Sequence, residues 1–130
     1  MLDTSTVSHL VKQQTEVVRR VISVPMSSLC LSAITEGELL FGLAKRPSAA
    51  RLHRSVRELL RRIDVLPWDS ATAARYGVEC AQMVQDGRTL APLDLLIAAH
   101  ALSVGAVLVT GDQVFAGVPD LIVEDWTQAA

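Results

Sequence analysis

Two short runs constrain this chain more than anything else in it: residues 29–34 (LCLSAI) and residues 106–110 (AVLVT). Both are apolar and five or six residues long, the character of strands buried on both faces of a parallel sheet. Parallel strands cannot be joined by tight turns; they need long crossovers, ordinarily helical. Helical periodicity fills the intervals. Residues 4–12 place Val7, Leu10 and Val11 at helical spacing, and a second helix over 16–22 is stopped by Pro25. Residues 35–45 read as a helix closed by Arg46-Pro47, and residues 48–63 as an amphipathic one with Leu52, Val56, Leu59, Leu60 and Ile63 in one stripe.

The second half repeats the alternation. Asp69 is placed to cap a helix running to Asp86, with Gly87 as its stop, and residues 92–104 form another with Pro92 in the first turn and Gly105 just beyond it. Residues 1–3, 65–66 and 121–123 supply shorter extended segments. Strands alternating with helices predict an α/β fold, a three-layer α/β/α sandwich around a central parallel sheet. At 130 residues the expectation is a single domain spanning 1–130.

Such a body buries roughly two thirds of its unfolded surface, yet half of this chain is apolar and its mean hydropathy is +0.33. Surplus apolar surface predicts contact with a partner or with a second copy, a homodimer. No apolar run approaches the ~18 residues of a membrane span. The opening MLDTSTVSHL lacks the basic and apolar regions of a signal peptide. The expectation is a cytoplasmic protein with no membrane association, whose Cys30 and Cys80 are buried reduced thiols.

In open parallel sheets, ligands bind beyond the carboxyl ends of the strands. Asp3 ends the first extended segment and Asp112 lies just past AVLVT, while Glu38 and Asp94 fall in the first turns of helices. Each has an ordinary reading. Asp3 can cap its helix, Thr35-x-x-Glu38 matches a capping box, Asp94 complements a helix dipole, and Gly111-Asp112 can be a turn. Together they can form one acidic pocket. Two carboxylates ~5 Å apart repel by about 3 kcal/mol at an effective dielectric of 20, so four would raise one another's pKa values or hold a cation. Oxygen donors without His or Cys at ligand spacing select Mg²⁺ or Mn²⁺ over Zn²⁺. A site of that kind activates water against a phosphodiester.

Several blocks resemble those of a known family: Leu2-Asp3-Thr4-Ser5, Ser32-Ala33-Ile34-Thr35 running into Glu38-Leu39-Leu40-Phe41-Gly42, the run from Pro92 through Asp94 to His100 and Leu102, and Leu108-Val109-Thr110-Gly111-Asp112 with Phe115. They are similar to the signature blocks of PIN domains, above all those of VapC toxins from VapBC toxin–antitoxin pairs. The resemblance extends to Val118-Pro119 and Val123-Glu124-Asp125-Trp126. It implies a growth-arresting, metal-dependent endoribonuclease and a VapB-type antitoxin as partner. It also implies that Asp3 and Asp94 hold the metal directly, that Glu38 and Asp112 complete the site partly through water, and that Thr110 orients the group beside it. Family members usually carry a few residues before the first block, which makes this opening strand short and leaves room for a start upstream of Met1.

Other residues read more plainly. Glu36 lies about 200° around the helix from Glu38 at 100° per residue, so only one faces the site, and the E-L-x-[FY]-G match selects Glu38. Asp69 reads as a cap and His100 as a packing residue. Arg54, Arg57 and Arg61 share one helix face, either a plain solvated face or an RNA contact that a chain of net charge −2 needs. Two rival functions remain: a catalytically silent domain of the same fold serving as a binding module, and a phosphoacceptor receiver domain. The second wants paired acids after the first strand and a late Lys, and no Lys follows Lys45.

Overall fold

The computed structural model describes residues 1–129. Six helices are arranged around short strands: α1 (Thr4–Val11), α2 (Thr15–Ile22), β1 (Cys30–Ser32), α3 (Ala33–Ala44), α4 (Ala50–Arg62), β2 (Asp64–Leu66), α5 (Ser70–Gln85), α6 (Pro92–Val104), β3 (Leu108–Val109) and β4 (Val123–Glu124). Strand β1 pairs in parallel with β2, and β3 in parallel with β4. The N-terminal segment lies between these two ladders. Leu2 forms a parallel bridge with Val109, Leu2 N–H donates to the Cys30 carbonyl, and Asp3 N–H donates to the Val109 carbonyl. The result is one parallel surface in the order β2, β1, Met1–Asp3, β3, β4, with Leu2 near its centre.

Alternation along the strands then builds two cores. Leu2, Leu31, Val65 and Val109 face one cluster, with Val7, Val17, Leu39, Leu43 and Val56 from α1 to α4. Their chain neighbours Met1, Cys30, Leu66 and Leu108 face the other, with Ile97, Ala98 and Ala101 of α6 and Phe115. Successive strand side chains point to opposite faces, so helices must cover both. This is the expected three-layer α/β/α arrangement, and α5 packs chiefly against α6.

The elements match the sequence pattern closely in kind and less closely in their ends. Gly105 takes a left-handed conformation at φ 68° and closes α6, and Asp69 caps α5 by accepting from Thr72 N–H at 3.0 Å. The strand expected over 29–34 stops at Ser32, because the Ser32 hydroxyl accepts from Ile34 N–H and starts α3 there. Helix α3 therefore begins at Ala33, two residues before Thr35, and the Thr35–Glu38 capping box does not form. The first-turn acid is Glu36, and Glu38 sits in the second turn. The helix expected from 48 begins at Ala50, after a turn in which Ala49 N–H donates to the Arg46 carbonyl. The strands expected over 106–110 and 121–123 contract or shift to Leu108–Val109 and Val123–Glu124, where the ladder bonds are.

Both cysteines are unpaired, and both are half-buried rather than fully enclosed. The α4 stripe is largely used by the chain's own core: Val56 and Ile63 are buried, and Leu52, Leu59 and Leu60 pack against them. Among the described residues, no helix is long and apolar enough to cross a membrane.

Candidate active site

All strands of the sheet run parallel, so their carboxyl ends share one edge, and the acids in question leave from it. Asp3 follows the central bridge at Leu2. It is 5% exposed, caps α1 by accepting from Thr6 N–H at 2.8 Å, and takes the Ser5 hydroxyl at 2.9 and 3.0 Å on its two oxygens. Glu38 reaches the same edge from α3, half-buried, and accepts the Thr4 hydroxyl on Oε1 at 2.6 Å. Asp94 is half-buried in the first turn of α6. Asp112 is exposed and caps the 3₁₀ turn Gln113–Gly117 through Val114 N–H at 3.1 Å.

Thr110 stands between β3 and Asp112. It is buried, its N–H donates to the Glu124 carbonyl, and its hydroxyl oxygen accepts Asp112 N–H at 3.0 Å. That bond fixes the peptide leading into Asp112. A further link comes from the loop before α6, where the Arg88 guanidinium donates to the Gly117 carbonyl. The elements bearing Asp94 and Asp112 are thereby tied together.

Electrostatics reveals the convergence. The Asp94 carboxyl is held above its ordinary value of 3.8, first by burial and then by the charges of Asp112, Glu38 and Asp3 in that order. Charges from three separate parts of the chain therefore reach the Asp94 carboxyl. As the side chains stand, no three carboxylate, His or Cys groups among the described residues are drawn together around one point. Asp3 and Glu38 are instead engaged by hydroxyl and amide donors. The donor set fits a hard divalent cation nonetheless: it is all carboxylate oxygen, and a cation would relieve the repulsion that Asp94 registers.

The helical capping readings of Asp3 and Asp112 are realised alongside this convergence, so cap and site are not exclusive. Asp69 is not among the charges that reach Asp94 and is a cap. His100 is only half a satisfied packing residue. Its Nδ1 meets the Ser32 hydroxyl at 2.7 Å, while its buried Nε2 has no hydrogen-bond partner. Arg54, Arg57 and Arg61 line one shallow surface depression with His53 and Glu58, away from the acids' own lining. What the sequence reading missed is the role of Thr4 and Ser5, the hydroxyls that grip Glu38 and Asp3. Two hydroxyl residues directly after a strand-end Asp were the available signal.

Beside the acids, α1, α3 and α4 leave a groove of about 240 Å³. Thr4 and Glu38 line it together with Leu39, Leu43, Leu52 and Val56, and so do the basic Lys12, Lys45 and Arg46. Apolar lining and an acid thus meet in one cleft.

A sequence profile of the PIN domain matches residues 1–121. The chain is a PIN-domain protein. Among its relatives is the tRNA(fMet)-specific endonuclease VapC of Salmonella typhimurium (strain LT2), 34% identical over 127 residues, which are 97% of this chain and 96% of the relative. Ribonuclease VapC1 of Haemophilus influenzae (strain R2866) is 32% identical over 98% of both chains. The fold agrees: the crystal structure of DNA-bound VapBC from Salmonella typhimurium superposes on this PIN domain with a TM-score of 0.88 at 32% identity, covering 97% of this chain and 96% of that one. VapBC-1 from nontypeable Haemophilus influenzae superposes at 0.86 and 32% identity over 98% of each. Membership of the PIN family sets aside the receiver-domain reading.

Proposed function

We propose that this PIN domain is an Mg²⁺- or Mn²⁺-dependent endoribonuclease that acts as the growth-arresting toxin of a toxin–antitoxin pair, restrained by a VapB-type antitoxin. The observation that carries the reading is geometric: the adjacent hydroxyls of Ser5 and Thr4 hold Asp3 and Glu38 side by side at the strand edge, and burial together with the charges of Asp112, Glu38 and Asp3 pushes the Asp94 carboxyl up beside them. The relatives named as ribonucleases and the neighbours that are VapBC complexes support it.

In this reading Asp3 and Asp94 hold the cation directly, and Glu38 and Asp112 complete its surroundings partly through water. When bound, a hard divalent ion supplies Lewis acidity, making water a better nucleophile and offsetting charge on a scissile phosphate. The chain's own residues supply the rest. Ser5 and Thr6 N–H fix the direction of the Asp3 carboxylate, and Thr110 fixes the peptide of Asp112. Arg54, Arg57 and Arg61 offer cationic contacts for an RNA backbone outside the acidic pocket. No Ser–His or Cys–His pair at the site offers a different nucleophile, since His100 and Ser32 meet in the buried interior.

The groove between α1, α3 and α4 suits an inhibitor segment that is apolar on one face and cationic at the end nearest Glu38. The purified protein tests the enzymatic reading: RNA should be cut internally with Mn²⁺ or Mg²⁺ present and left intact with EDTA. Cleavage that continues in the chelator overturns the metal assignment.

A further inference from the structure

Consecutive hydroxyls at the start of α1 hold two different acids. Ser5 holds Asp3 within its own turn, whereas Thr4 Oγ1 donates to Glu38 Oε1 at 2.6 Å across 34 positions of chain. The two bonds differ in kind. Asp3 is also fixed by capping α1 and would keep its place without Ser5. Glu38 caps nothing, because Ser32 begins α3. A glutamate in the second turn of a helix has three side-chain torsions, and the Thr4 hydroxyl is the group seen holding its carboxylate. Hydroxyl-to-carboxylate bonds of this length are charge-assisted and among the stronger ones available to a protein. Both residues are half-buried, which limits competition from water.

We propose that Thr4 is a positioning residue for the reaction: its hydroxyl holds the Glu38 carboxylate on the Asp3 side of the site, ready for the divalent cation. The inference rests on the metal reading above. A purely structural Thr4 would serve α1 through its methyl group and backbone, both of which valine keeps. The hydroxyl is what the Glu38 contact needs. Removing a group that orients a metal ligand typically weakens metal binding by about 10–100-fold.

Calorimetric titration of Mn²⁺, without RNA, separates the possibilities. The proteins to compare are wild type, Thr4→Val, Thr4→Ser, Glu38→Gln and the Thr4→Val/Glu38→Gln double variant, with thermal unfolding run on each. Wild type should bind Mn²⁺, and Thr4→Val should bind roughly tenfold more weakly at an unchanged melting temperature. Thr4→Ser should restore most of the affinity, and Thr4→Val should cost nothing further once Glu38 is Gln. Thr4→Ala stands in as the hydroxyl-free variant if Thr4→Val does not fold. Wild-type affinity in a folded hydroxyl-free variant, with Glu38→Gln weakened, overturns the Thr4 assignment alone. A full Thr4→Val loss that persists in the Glu38→Gln background overturns it too. A wild-type protein that binds no Mn²⁺ defeats the metal reading first, and this inference with it.

Discussion

The imidazole of His100 on α6 meets the hydroxyl of Ser32 at the end of β1, Nδ1 to Oγ at 2.7 Å, with both residues fully buried. The same hydroxyl caps α3 through Ile34 N–H. One oxygen therefore joins the helix that carries Asp94 to the helix that carries Glu38. Burial, opposed by the charge of Asp69 and the nearby Pro67 backbone, holds the His100 pKa below its ordinary 6.5.

Stability should depend on pH through this histidine. The unfolded chain takes up a proton as pH falls below about 6.5, whereas the folded chain resists it, so the unfolded state binds more protons there. The contribution of His100 is present at neutral pH and is lost as pH falls through 6.5 toward the lowered folded value. The melting temperature should decline over that window in wild type and decline less in His100→Asn. Ser32→Ala, which strands the imidazole and uncaps α3, should cost about 2 kcal/mol or more in a denaturant titration at pH 7. Equal pH slopes in wild type and His100→Asn would contradict the account.

Most of the architecture was legible because it rests on local periodicity. Residues 92–104 carry Pro at the first turn and Gly beyond the end, and α6 occupies that span without adjustment. Element ends were less legible where two local signals competed. Thr35-x-x-Glu38 looks like a capping box, but Ser32 lies three residues upstream at the strand end, and its hydroxyl captures Ile34 N–H first. The four acids could be picked out singly. Their convergence depends on Met1–Asp3 inserting between β1 and β3, a long-range pairing that no local pattern encodes. The Thr4–Glu38 bond was hidden for the same reason.

Asp94 gives the next expectation. Its raised pKa means that the apo protein is strained by the charged form, so stability contributed here is lost as pH rises from 3.8 through the raised value. Asp94→Asn at pH 7 should therefore leave apo thermal stability level or higher, because the cost of burying the charge and the repulsion from Asp112, Glu38 and Asp3 both disappear. RNA cleavage should fall by roughly a hundredfold or more, the scale of losing one preorganised electrostatic contact. A large drop in apo melting temperature would instead make the carboxylate a structural element of α6.

The basic face of α4 divides unevenly. Arg61 and Arg62 share Glu58 at 3.5 and 2.8 Å, whereas Arg54 and Arg57 have no ion-pair partner among the described residues. At ~0.7 per phosphate contact on single strands, replacing Arg54, Arg57 and Arg61 by Ala should reduce the log–log salt slope of RNA binding by about 2. Most of that change should already be present in the Arg54/Arg57 double variant. A slope that does not move in a filter-binding series would leave α4 as a solvated face.

The last expectation concerns assembly. The stripe on α4 is mostly spent on the chain's own core, which narrows the surface left for an inhibitor to the groove beside Glu38. There Leu39, Leu43 and Leu52 meet an acid within one cleft, and an amphipathic segment ending in Arg or Lys would satisfy both characters at once. Large apolar groups elsewhere remain exposed, among them Phe41 at 62%, and Val78 and Val84 on α5. That surplus favours a symmetric pair of toxin chains within the inhibited complex. Expression of this chain alone should arrest growth, co-expression with a VapB-type antitoxin from the neighbouring reading frame should restore it, and light scattering should give a complex larger than one-to-one. Leu52→Asp, which places a charge on the half-buried groove wall, should weaken antitoxin binding by tenfold or more, on the scale of a contact worth about 1.4 kcal/mol or above. A stable monomer that binds no neighbouring gene product and leaves growth unchanged would remove the toxin role, while the proposed nuclease activity would be decided by its own cleavage assay.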